Sequence, residues 1–257
     1  MALVLTGIVS LFFRRAIWQR DVAFVKAMEP TLRKKLMLRI MYSSLFVTLN
    51  WFSFIYVINH ISIQAGAFAY MVCPIITAVF AFIFLKEELS NQKWIAIVLC
   101  LCSIIFLSLG FIQEVLYSVF IAVLYAGYLM FQKRIEGLDK LNVLFVQLII
   151  SSICVLPFLL NSSVTFPMEA HFWIQIFIVA VVFTILPLWL SLYALIGMPS
   201  ATMGILIYIN PIVAFLVAIF YFDEGIPVAK VFAYGILLMA VVLFNYSFLK
   251  RLIGNRE

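Results

Sequence analysis

Two prolines interrupt long apolar runs in this chain. Residues 70–87 read YMVCPIITAVFAFIFLKE and residues 207–224 read IYINPIVAFLVAIFYFDE, so Pro74 precedes Glu87 by the same 13 residues that separate Pro211 from Glu224. A proline inside a helix removes one N–H donor and crowds the carbonyl four residues earlier, here Tyr70 and Ile207. In hydrocarbon a freed carbonyl must find a partner or line a wet cavity. Asn50 and Asn210 add amides that are costly in lipid and should face protein or water. The chemistry open to this set is reversible recognition of a solute without a full counter-charge, with Trp51, Tyr70 and Tyr208 as aromatic walls. We therefore expect a substrate cavity formed by Asn50, Trp51, Tyr70, Pro74, Tyr208, Asn210 and Pro211, with helix breaks at both prolines. Both breaks fall about 10 residues, or ~15 Å, into their spans, near the bilayer centre. The competing reading is structural: kinks tolerated by packing, and asparagines engaged in interhelical hydrogen bonds of about 0.6–2 kcal/mol.

Other chemistry finds little footing. There is no Gly-x-Ser-x-Gly elbow, His-Glu-x-x-His pair or phosphate loop. Ser103, Ser151, Ser152 and Thr184 have no His or Asp at comparable depth, so no catalytic residue is expected. Cys100 and Cys102 are two apart on a helix and point to nearly opposite faces, so they cannot chelate one metal, and no metal or cofactor is expected. No span carries a mid-membrane acid, base or histidine, the usual proton relay. Glu87 and Glu224 are expected to close helices at the membrane surface, paired with Lys86, Lys93 or Lys230.

The elements that position these residues follow from composition. Of 257 residues 67% are hydrophobic and 11% charged, against about 25% charged in a soluble domain. The apolar runs are continuous rather than alternating, which excludes a β-barrel and indicates an all-α polytopic membrane protein. Eight full spans are expected, at 36–58, 63–85, 93–110, 114–131, 143–160, 172–196, 201–222 and 228–248, with Met1–Phe13 as a partial ninth. Between them, Trp18, Val22, Val25 and Met28 recur at helical spacing in a basic segment, the pattern of an interfacial amphipathic helix. With residues 14–39 and their eight Lys/Arg inside, alternation places 16 basic residues inside and only Lys230 outside. The net charge of +6 thus reports topology and contact with the lipid bilayer. Dispersed over several loops, it gives no nucleic-acid footprint.

A shift of 137 residues lays Pro74 on Pro211, Ile75 on Ile212, Ala81 on Ala218, Glu87 on Glu224, Lys93 on Lys230 and Tyr56 on Tyr193. The shift covers five spans, an odd number, so the copies cross in opposite directions and Lys230 is the inverted partner of Lys93. Residues 1–110 form the first repeat, missing its first span and part of its second, and 111–257 form the second, inverted repeat.

The blocks LNWFSFIYVIN (49–59), AFAYMVCPIITAVFAFIFLKEEL (67–89), KW (93–94) and LPLWLSLYALIGMPSATMGILIYINP (186–211) resemble the RarD-like branch of the EamA transporter family. That family belongs to the drug/metabolite transporter superfamily. The resemblance covers essentially the whole chain and implies a ten-span architecture of two inverted five-helix repeats, here N-terminally truncated. The family's first copy usually has Asn before the proline, where this chain has Cys73, and its second copy a small residue, where this chain has Asn210. The function expected is a permease or exporter of small metabolites or drugs, working by alternating access in the inner or plasma membrane with the C-terminus cytoplasmic. The alternative is a non-transporting membrane protein derived from a truncated transporter.

Overall fold

The computed structural model describes residues 1–161, 167–187, 190 and 211–246. Among these residues the chain is helical, with no strand. The helices are α1 (Ala2–Ile8, continued by a π-turn Val9–Phe13), α2 (Arg15–Ala27), α3 (Pro30–His60), α4 (Ile63–Leu85) and α5 (Asn91–Lys133). They are followed by α6 (Lys140–Leu160), α7 (Ala170–Ala180, continued by a π-turn Val181–Ile185), α8 (Pro211–Phe220) and α9 (Val228–Phe244). The chain groups into two compact units: Met1–Thr48 with Phe131–Gly197, and Leu49–Met130 with Met198–Glu257. Large apolar side chains such as Phe13, Leu109, Phe158 and Phe220 stand exposed, while Ser43, Ser44, Thr48, Asn50 and Ser103 are buried. This inside-out distribution suits helices whose solvent is lipid and whose contacts with one another use small polar residues.

In the first unit the axis turns by 90° between Ala2–Phe13 and Arg15–Ala27. The expected amphipathic helix is α2, and its apolar side is used as its spacing predicts. The Trp18 ring packs edge-on against Phe145 at 5.7 Å, and Val25 and Met28 pack on the cluster of Leu36, Ile40, Ile135 and Val143. A polar knot fixes α2 to the start of α6. The Asp139 carboxylate caps α6 by accepting from Leu141 N at 3.1 Å and Asn142 N at 3.4 Å. The same carboxylate takes a two-pronged bond from Arg14, both arms 3.0 Å. Asp21 Oδ2 accepts from Asp139 N at 2.9 Å and from Asn142 Nδ2 at 2.8 Å, and Arg20 covers Oδ1 at 2.7 Å. Burial pushes the Asp21 carboxyl up, but hydrogen bonds from Asn142, Arg20 and the Asp139 backbone outweigh it and hold the group below the ordinary aspartate value. Just before α6, Gly137 has φ +78°, and a Cβ there would meet Phe24 ring carbons at 2.6 and 2.7 Å, so only glycine suits the position.

In the second unit Ser62 caps α4, its Oγ accepting from Ala65 N at 3.0 Å. The C-terminus of α4 closes with Lys86 at φ 57° and Glu87 N donating back to Ala81 O at 3.3 Å. After α8 the chain closes in the same manner, with Asp223 at φ 49° and Glu224 N donating to Ala218 O at 3.0 Å. Each is a helix stop through a left-handed residue, closed by a bond that spans six positions, and each residue lies 137 positions from its counterpart. The core joins Phe68, Val72 and Ile75 of α4 to Cys100 and Ala122 of α5 and Leu237 of α9.

One expectation changes. The break anticipated at Pro74 is not there: α4 runs from Ile63 to Leu85 with Pro74 inside it. Val72, Cys73 and Ile75 are buried in the core on either side, and Thr77 Oγ1 bonds the Cys73 carbonyl at 2.8 Å, so packing holds the helix where one backbone bond is lost. Pro211 is the first described residue of α8, and the stretch before it lies outside the described residues. The expected spans 93–110 and 114–131 lie in one helical stretch, α5, of 43 residues, whose non-helical residue, Phe111 (φ −138°, ψ 43°), falls in the gap expected between them. At 1.5 Å per residue this stretch measures ~65 Å, twice a bilayer core of about 30 Å, so Phe111 is where two crossings meet. Among the described residues four helices, α3 to α6, are long and apolar enough to cross a membrane, and the bent pair α1–α2 makes up to five. The expected spans 172–196 and 201–222 fall partly outside the described residues.

Candidate substrate site

Asn50 is fully buried on α3. Its Nδ2 donates to the Ile121 carbonyl of α5 at 2.9 Å, and its Oδ1 accepts from the Tyr70 hydroxyl of α4 at 3.4 Å. Both ends of the amide are thereby used to tie three helical segments together. Tyr70 continues an aromatic ladder: its ring meets Phe54 edge-on at 5.1 Å and Tyr125 at 5.7 Å, and Tyr125 leads to Tyr128 at 5.7 Å. The ladder is apolar on its faces and phenolic at its tips, with no charged side chain among its members. Of the residues expected at the site, the structure brings Asn50 and Tyr70 into direct contact. Trp51 and Pro74 are half-buried and Pro211 is buried. Tyr208 and Asn210 lie outside the described residues.

A second polar cluster gathers at the start of α4 and α9. The Glu224 carboxylate accepts from the backbone N–H groups of Ile63 at 2.7 Å and Gln64 at 3.1 Å, and so serves as an anionic cap for α4. Lys230 Nζ donates to Glu114 Oε1 at 2.8 Å and to Gln64 Oε1 at 3.4 Å, and lies 4.6 Å from the Phe111 ring centroid. The lysine is 5% exposed, so the pair is largely withdrawn from water. Glu224 was expected to pair with its neighbouring lysine. Instead it holds a helix N-terminus, where two N–H donors and the positive end of the helix dipole compensate the carboxylate. Sequence reasoning missed Glu114 as the partner of Lys230, although the one basic residue assigned outside had to find its acid among the few on that side.

In the first unit Gln147 Nε2 donates to Ser43 Oγ at 2.7 Å and to Gln132 Oε1 at 2.8 Å, and Thr48 and Ser151 hydroxyls meet at 2.6 Å. Apart from Ser151, weighed in the sequence only as a nucleophile, these residues escaped notice because a single Gln, Ser or Thr on a helix carries no spacing signal.

The profile of the EamA-like transporter family matches residues 1–109 and 113–246. The chain belongs to the EamA-like transporter family. Its relatives include the uncharacterized transporter YojE of Bacillus subtilis, 26% identical over 216 residues that cover 83% of this chain and 72% of that protein. Protein RarD of Streptomyces exfoliatus is 23% identical over 252 residues, covering 97% and 78%, and protein RarD of Escherichia coli is 22% identical over 240 residues, covering 91% and 80%. This EamA-family chain is thus a RarD-like, multi-pass membrane transporter of the drug/metabolite superfamily. The uncharged ladder around Asn50 and the ion-paired cluster around Lys230 differ in kind: one joins aromatic rings and single hydrogen bonds, the other gathers charged side chains at a helix end.

Proposed function

We propose that the chain is a small-solute permease or exporter of the inner or plasma membrane that alternates access between two inverted repeats, residues 1–110 and 111–257. Its substrates are uncharged, zwitterionic or amphipathic metabolites, held by Tyr70, Trp51, Tyr208, Asn210 and the backbone near Pro211, with Asn50 fixing Tyr70. The observation that carries this reading is the ladder of Phe54, Tyr70, Tyr125 and Tyr128 built on a buried amide, in a chain of a transporter family. Aromatic walls with polar tips bind such solutes without fixed charge. The inverted repeat draws support from the matched helix stops at Lys86 and Asp223. It draws more from the units: adding 137 to residues 1–48 gives 138–185, which falls in the same unit.

Proteoliposomes loaded with a bacterial metabolite extract, with mass spectrometry of what leaves, test the proposal. Tyr70→Phe and Asn210→Ala are expected to slow export of the transported compounds several-fold per folded molecule while detergent-stable protein stays near parental. A parental rate per folded molecule in both variants would remove these residues from the site, and no protein-dependent release would remove the permease reading.

A further inference from the structure

We propose that the first unit carries a specific site for one anionic glycerophospholipid, in the groove where α2 turns back into α3. The groove has a volume of about 570 Å³; Phe24, Met28 and Leu36 supply apolar wall, and Lys35, Arg39 and Arg134 supply charge. Three cations face one acid, Glu136, so the lining favours an anion joined to an apolar tail. Lys35 and Arg39 are one helical turn apart, about 5–6 Å between Cβ atoms, which lets both reach one phosphate. Arg39 is pre-aimed: its Nη1 donates to the Arg134 carbonyl at 2.9 Å, leaving further N–H donors of the planar fork for an oxyanion. The apolar wall is fixed as well, because Phe24 rests against the bare backbone of Gly137 (φ +78°). The location suits a lipid rather than a free anion. The helix α2 stands at 90° to the apolar helix before it, the attitude of a segment at headgroup depth. A cavity of this size accommodates a headgroup with the upper part of an acyl chain.

The purified protein in neutral detergent is titrated with phosphatidylglycerol, phosphatidylcholine or inorganic phosphate, with native mass spectrometry and thermal unfolding as readouts. Phosphatidylglycerol is expected to bind at one copy per chain and to raise Tm, with phosphatidylcholine and inorganic phosphate producing neither effect. Lys35→Glu makes no change to a hydrogen bond seen in the structure. It is expected to weaken phosphatidylglycerol about ten-fold or more at unchanged lipid-free Tm, given roughly five-fold per surface charge. Lys93→Glu, a charge reversal in the other unit, is expected to bind phosphatidylglycerol as the parent does. Equal binding of the two lipids, an equal shift from inorganic phosphate, full retention in Lys35→Glu, or equal loss in Lys93→Glu would each overturn the site.

Discussion

The Asn50 amide holds a backbone carbonyl on one side and a tyrosine hydroxyl on the other, so its removal leaves two groups wanting a partner in an apolar surround. Asn50→Ala is expected to cost about 1–2 kcal/mol, read as lower Tm in detergent, with Tyr70→Phe costing less because only the 3.4 Å bond is lost. Asp21 gives a pH signature. Its folded pKa lies below the ordinary aspartate value, so the ionised group stabilises the docked α2 above that ordinary value, and this contribution fades as pH falls through it toward the folded pKa. Limited proteolysis of α2 should rise on acidification below about pH 4, and Asp21→Asn should flatten that rise; an unchanged acid profile would show the knot to be pH-indifferent. At this scale the sequence made Asn50 and Tyr70 legible, because an amide in hydrocarbon demands a partner. It could not name Ile121 as that partner, since a backbone carbonyl has no side-chain identity to read.

The matched stops at Lys86 and Asp223 place side-chain-bearing residues in a conformation that glycine adopts more easily. Lys86→Gly and Asp223→Gly are each expected to stabilise by roughly 0.5–1 kcal/mol, measured as a raised Tm. The Glu114–Lys230 pair behaves oppositely. Its side chains are 16% and 6% exposed, so Lys230→Met alone is expected to cost about 3–5 kcal/mol by stranding the carboxylate, while Glu114→Leu with Lys230→Met recovers most of that loss. Equal Tm for the single and double variants would show that the pair is not coupled. The helices themselves were legible from continuous hydropathy, α4 to its ends. The uninterrupted passage through Pro74 was not, because local chemistry argues for a break and only the buried neighbours Val72 and Ile75 argue against it. The turn at Phe111 was legible, since Gly110 precedes it and the expected spans end and resume on either side of it.

Across the molecule a fixed shift of 137 leaves its trace in prolines, acids and lysines alike, and the same shift relates the helix stops at Lys86 and Asp223. The grouping into two units was not legible, because it joins segments far apart in the chain. The proposed topology predicts that, with the four native cysteines replaced, Glu136→Cys is labelled by impermeant maleimide only in opened cells. Gly225→Cys should be labelled in intact ones. Labelling of position 136 from outside would end the inverted arrangement. The knot at Asp21 also sets a clock. Its partner Asn142 lies 121 residues later, so at 5–20 residues per second a ribosome needs about 6–24 s to deliver it. For that interval α2 has neither Phe145 nor the α6 cap to rest on, and of its packing partners only Leu36 and Ile40 of α3 have been made. Slowing synthesis between residues 28 and 139 should therefore lengthen the window in which a protease can clip the nascent chain within α2.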